Sequence, residues 1–123
     1  MKITRQHAET DIQELVGAVC HGALGVGTSV DEGVTALFLN ADDTWHRIYI
    51  DAGVLFWEPG EPDPSVELAE NEEFLDLLKP LGATTLTIEH VRMQSGELRV
   101  TFVGQHSLVL AEEESGLLRV QIH

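Results

Sequence analysis

Thr10-Asp11-Ile12-Gln13-Glu14-Leu15-Val16-Gly17-Ala18-Val19 is the stretch on which the fold class turns. Thr10 or Asp11 can cap a helix, Glu14 stands three residues after Asp11, and Ile12, Leu15, Val16 and Val19 recur at helical spacing. The pattern predicts an N-terminal helix with one face turned to a core. Its end is expected in the glycine-rich stretch, where Gly22, Gly25, Gly27 and Gly33 interrupt regular structure.

Beyond that stretch the period changes to two. Val34, Ala36 and Phe38 alternate with Thr35, Leu37 and Leu39, and both sets are largely apolar, as in a strand covered on both faces. A turn at Asn40-Ala41-Asp42-Asp43-Thr44 leads into Trp45–Asp51, with Ile48 and Ile50 on one face and Arg47 and Tyr49 on the other. Asp51-Ala52-Gly53 turns into a partner strand, Val54–Glu58, which completes a meander. Pro59, Pro62 and Pro64 end it and predict an acidic surface loop. Leu68, Phe74, Leu75, Leu77 and Leu78 then fit a short helix with an acidic outer face, closing before Pro80 and Gly82.

The last third reads as four strands. Leu86 and Ile88 hold one parity and Val91 and Met93 the other, so a bulge or register change is expected at His90. Ser95-Gly96, Gly104-Gln105 and Ser115-Gly116 separate the strands that carry Leu98, Leu108 and Leu118, with Arg99 and Arg119 on the face opposite Leu98 and Leu118. The expectation is one α+β domain over residues 1–123. It has an antiparallel sheet of about seven strands in two meanders, an N-terminal helix and a short acidic helix between the meanders.

Composition restricts function more than it identifies it. The chain has 123 residues, 43% hydrophobic, and a formal net charge of −14, which suits a single folded domain and argues against disorder. From Glu58 to Leu78 there are eight carboxylates and no Lys or Arg, and Glu112, Glu113 and Glu114 form a second block. A field of that sign repels nucleic acid and membrane surfaces and attracts cationic partners. Cys20 is the sole cysteine, so no intramolecular disulfide forms. Neither a secretory signal nor a stretch of membrane-spanning length is present, and a soluble cytoplasmic protein is expected.

No cofactor or metal motif stands out. Cys20-His21 and Asp42-Asp43 with His46 lack the recurrent short spacings of zinc sites. Gly25-Val26-Gly27 lacks the third glycine of a dinucleotide fingerprint. His46 with Asp42 or Asp51 is the one acid–base pairing an enzyme could use, and no residue is assigned a catalytic role. Trp45, Arg47, Tyr49 and Trp57 are the more suggestive group, because Trp, Tyr and Arg dominate binding hot spots.

The stretch Trp45-His46-Arg47-Ile48-Tyr49-Ile50-Asp51-Ala52-Gly53-Val54-Leu55-Phe56-Trp57-Glu58, followed by the acidic linker and more sheet, resembles small bacterial proteins of toxin-immunity type. The resemblance implies a cytoplasmic inhibitor that binds a basic toxin domain, and it carries over no binding residue. The charge pattern alone leads to a similar expectation: a protein-binding module that sequesters or inhibits a basic partner. Glu61, Glu70, Glu73 and Asp76 would steer the encounter, while Trp45, Arg47, Tyr49 and Trp57 form an interface or pocket. Two alternatives remain open. One is a small-molecule-binding domain whose anionic ligand is held by Arg47, Arg99 or Arg119; the other is a structural homo-oligomer.

Overall fold

The computed structural model describes residues 5–7, 10–82 and 85–123, and the segment expected to be a helix is extended. Two short strands, β1 (Arg5–His7) and β2 (Thr10–Asp11), precede a 3-10 turn at Gln13–Leu15, and a nine-residue strand, β3 (Val19–Gly27), follows. Ile12, Leu15 and Ala18 are buried at a spacing of three while Val16 is 40% exposed, so the buried set does not follow the helical stripe. Gly17 sits at φ +88, a conformation no helix interior contains. The backbone partners that a helix would supply come instead from β8 (Leu86–Gln94). Ile12 and Gly17 donate their N–H groups to the carbonyls of Val91 and Ile88 at 2.9 and 2.8 Å, and Ile88 donates back to Ala18 at 2.8 Å.

The α+β expectation is therefore overturned, because the chain is an antiparallel β protein with no helix longer than one turn among the described residues. The remaining strands are β4 (Leu37–Ala41), β5 (Thr44–Asp51), β6 (Val54–Pro59), β7 (Glu73–Asp76), β9 (Glu97–Phe102), β10 (His106–Glu112) and β11 (Leu118–Ile122). Their order in the sheet is β1-β6-β5-β4-β3-β8-β9-β10-β11, with β2 on β8 and β7 on β3. Both expected meanders exist, β4 to β6 and β8 to β11, and β3 joins them. The expected acidic helix reduces to one turn, α1 (Pro64–Glu67), capped by Asp63. Residues 73–76 form β7 instead, with Phe74 opposite Val26 and Leu75 opposite Gly25 on β3. Apolar residues in so short a segment satisfy either period, and the open side of β3 decides between them.

Turn chemistry fixes the register of each hairpin. Asp42-Asp43, Ala52-Gly53 and Ser95-Gly96 all have positive φ at both residues, the conformation that matches the twist of flanking strands across a two-residue loop. The register shift expected near His90 is present: Ile88 opposes Phe102 and His90 opposes Thr101, so Glu89 is the extra residue of a bulge.

The sheet folds on itself so that the inner faces of the two meanders share one core. Ile48, Leu55 and Trp57 of the first meander belong to the same buried cluster as Val91, Leu98, Phe102, Leu108 and Leu118 of the second. Polar contacts add to the shared core and the β3–β8 pairing in holding the halves together. Val34 and Leu118 exchange backbone hydrogen bonds at 2.9 and 2.7 Å, and the Glu112 carboxylate accepts from the Ala52 and Gly53 N–H groups at 2.8 and 2.9 Å. Part of the second acidic block thus serves the fold. A smaller cluster of Val26, Ala36 and Phe38 lies on the outer face of the first meander. It explains why β4 is buried on both faces, as its sequence predicts.

Candidate functional site

The outer face of the first meander is built around Arg47. Alternation along β5 puts Trp45, Arg47 and Tyr49 outward, while Ile48 and Ile50 point into the core at 2% and 5% exposure. Pairing then settles which aromatic residues meet. Tyr49 lies opposite Phe56 and stacks on it at 5.0 Å with an interplanar angle of 9°, and Arg47 lies opposite Glu58. Trp57 lies opposite Ile48 and is 4% exposed, so it belongs to the core and does not share a face with Trp45, Arg47 and Tyr49.

Arg47 holds the acidic segment against this face. Its Nε donates to the Glu67 carboxylate, its terminal nitrogen is 3.7 Å from Glu58, and its guanidinium carbon is 5.0 Å from the centre of the Tyr49 ring. Leu68 and Phe74 pack on the smaller cluster, with Phe74 edge-on to Phe38 at 5.9 Å. Trp45 and Tyr49 are half-buried at the margin of the same cluster. The indole of Trp45 lies over Gly22, where an added Cβ would meet the ring at 3.0 Å.

The carboxylates of this segment divide by role. Glu58 and Glu67 pair with Arg47. Asp63 accepts from the Ser65 hydroxyl and N–H, which lowers its pKa. Glu72 accepts from the Ala69 N–H, and Asp76 accepts from the N–H groups of Leu78 and Lys79. The carboxylates of Glu61, Glu70 and Glu73 are exposed and make no hydrogen bond or ion pair among the described residues. Of the four carboxylates expected to steer a partner, these three are uncommitted, while Asp76 also braces a turn. The segment was legible as acidic from sequence. Its attachment through Glu67 and Arg47 was not, because the two residues are twenty positions apart and no local pattern links them.

The groups considered for catalysis or metal binding lie elsewhere. The Trp57 indole donates to His46 Nδ1 at 2.8 Å, and both residues line a cleft of about 200 Å³ with Glu14 and Asp42. Asp42 itself accepts from the Val19 N–H at 2.8 Å, as a turn residue does. Asp51, the other acid paired with His46 in the sequence reading, is on the far end of β5 and does not line that cleft. His21 is 3.8 Å from Asp43. Among the described residues no group of three or more His, Cys, Asp or Glu could hold a metal ion, and no helix is long and apolar enough to cross a membrane.

Cys20 is fully buried, and burial pushes its thiol up to about 11 from 9.0, partly offset by a backbone hydrogen bond from Gly22. In the unfolded chain the thiol ionises at the lower value, so between pH 9.0 and about 11 the unfolded state has lost a proton that the native state keeps. Stability is therefore expected to fall across that window and to be unaffected by this group below it. Urea midpoints measured through the window should decline less for Cys20→Ala than for the parent; equal declines would show that other groups dominate.

Arg99 and Arg119, the other candidates for an anionic ligand, project from the outer face of the second meander, opposite buried Leu98 and Leu118. Arg119 is 3.1 Å from Glu113, and Arg99 is 3.4 Å from Glu97. Arg47 is committed to its two glutamates and is separated from both by the core. The chain matches no protein-family model, no curated protein and no solved structure.

Proposed function

We propose that the protein is a stoichiometric binding module for a basic protein partner, with the outer face of the first meander as its docking surface. The observation that carries this reading is the set of Glu61, Glu70 and Glu73 carboxylates, exposed and without side-chain partners among the described residues, on a segment that Arg47, Leu68 and Phe74 hold in place. A held segment presents its charges without first being ordered, which reduces the entropic cost of association. Trp45 and Tyr49 at the margin supply amphipathic area beside those charges, the combination found at interface hot spots. The likeness to toxin-immunity proteins favours an inhibitor of a cationic toxin as the partner class.

The reading is tested by capturing partners from extract at low salt, eluting in salt steps, and measuring association of the released protein with the parent and with the triple variant Glu61→Gln, Glu70→Gln, Glu73→Gln. Loss of three steering charges is expected to slow association by about tenfold at low salt and to flatten its salt dependence, with little change in dissociation. An association rate that neither salt nor the triple variant alters would refute the proposal.

A further inference from the structure

β7 is an open edge beside the acidic segment, since among the described strands it pairs with β3 alone. Leu77 donates its N–H to the Ala23 carbonyl at 2.8 Å, and alternation along the antiparallel ladder then turns the backbone groups of Leu75 and Glu73 toward Gly25 and Gly27. Phe74 and Asp76 direct their N–H and C=O groups the other way. Val26 has the matching phase: it lies opposite Phe74 but donates its N–H to Ala36 and accepts from Thr35. On the open side the main-chain groups of Phe74 and Asp76 have no partner among the described residues.

Side chains select what can pair with this edge. Glu73 and Asp76 are exposed at its two ends, with half-buried Phe74 and Leu75 between them. Phe74 packs on the outer cluster and Leu75 on the main core, so the strand is held in its extended form from both faces. Asp76 Oδ1 accepts from the N–H groups of Leu78 and Lys79, which fixes that carboxylate at the strand end. A second copy of the chain is a poor occupant, because antiparallel self-pairing about the strand centre sets Glu73 opposite Asp76 twice. Like charges directly opposite destabilise a sheet, and charged edges keep identical chains apart. The same two carboxylates favour a strand that carries cations at the facing positions.

We propose that an extended basic segment of the partner adds to β7 as an antiparallel strand, with the pattern cation, apolar, apolar, cation opposite Asp76, Leu75, Phe74 and Glu73. This deepens, and rests on, the reading of the adjoining face as a dock for a basic protein. Main-chain hydrogen bonds to Phe74 and Asp76 supply affinity, and the cross-strand pairs supply selectivity. Glu61 and Glu70 lie outside the ladder and act on encounter only.

The probe is a short capped peptide with Lys-Val-Val-Lys at its centre, titrated into the full chain by calorimetry and by amide hydrogen exchange. Two further peptides carry a backbone N-methyl group on the first or on the second valine, with the charge unchanged. In the free chain the Phe74 and Asp76 amides are expected to exchange faster than that of Leu75, and to slow when the unmodified peptide is added. The second valine lies opposite Phe74 and donates to it, so its methylation is expected to weaken binding by about tenfold. The N–H of the first valine points away from β7, and its methylation is expected to change affinity by less than about twofold. Equal binding by all three peptides would overturn strand addition, as would binding that leaves Phe74 and Asp76 exchange unaltered. No binding of the unmodified peptide at about 1 mM would overturn it too. The docking face is judged separately, by the salt dependence of the captured partner, so failure of the strand and failure of the face are told apart.

Discussion

Replacing Arg47 with methionine is expected to cost about 3 kcal/mol of stability, a large effect for one polar residue outside the main core. Methionine keeps most of the aliphatic stem that lies against Tyr49 and removes the guanidinium. The Glu67 side chain, only 15% exposed, is then left without its cation, and Glu58, 19% exposed, loses one of its partners. Two facing carboxylates that are largely withdrawn from water repel each other and cannot both stay ionised cheaply. The segment is expected to loosen from the sheet, because its apolar anchors here, Leu68 and Phe74, pack on a cluster of just three buried residues.

The check is urea unfolding of Arg47→Met beside Glu67→Gln. The second change leaves Arg47 with Glu58 and a neutral acceptor, and it is expected to cost about 1 kcal/mol. Limited proteolysis between Pro59 and Glu73 should be faster in Arg47→Met. If both variants lose the same stability, the carboxylate pair is not what Arg47 restrains. The same substitution also tests the proposed docking face. A segment no longer held in place has to be ordered on binding, so partner affinity should fall even though no exposed glutamate has changed.

Gly33→Ala is expected to be similarly costly, about 3 kcal/mol, with Gly27→Ala somewhat less. Three backbones pass each other closely here. A Cβ on Gly27 would stand 2.8 Å from the Gly33 carbonyl oxygen, and a Cβ on Gly33 would stand 3.0 Å from the Leu118 carbonyl oxygen. Gly33 also has φ +102, a conformation that side chains oppose. For Gly27 the space alone is limiting, and the neighbour that has to move is backbone. Either change pushes β11 away from the first meander and strains the paired hydrogen bonds between Val34 and Leu118. Hydrogen exchange at those two amides should accelerate before exchange in β8 and β9 does. Uniform acceleration would show that the contact is no weaker than the rest of the sheet.

These two sites show unequally what the sequence makes readable. The expected strands from Leu86 to Ile122 are present with their turns, the bulge beside His90, and Arg99 and Arg119 on the predicted face. By contrast, the clasp of Arg47 on Glu67 joins residues that no periodicity connects. The burial of Trp57 depended on register, which its own strand does not specify.

By itself the sequence determined the hairpins and the charge. Alternation and positive-φ turn residues act over a few positions, and a run of carboxylates without cations is acidic in any fold. Tertiary structure alone decided the state of residues 10–18 and 64–78. Both segments are short, both contain apolar residues compatible with a period near three or of two, and neither can form a stable helix without burying a face. β8 offered main-chain partners to the first, and the glycine-lined side of β3 offered them to the second. Those backbone hydrogen bonds, made between residues more than forty positions apart, turned an expected α+β domain into a folded antiparallel sheet.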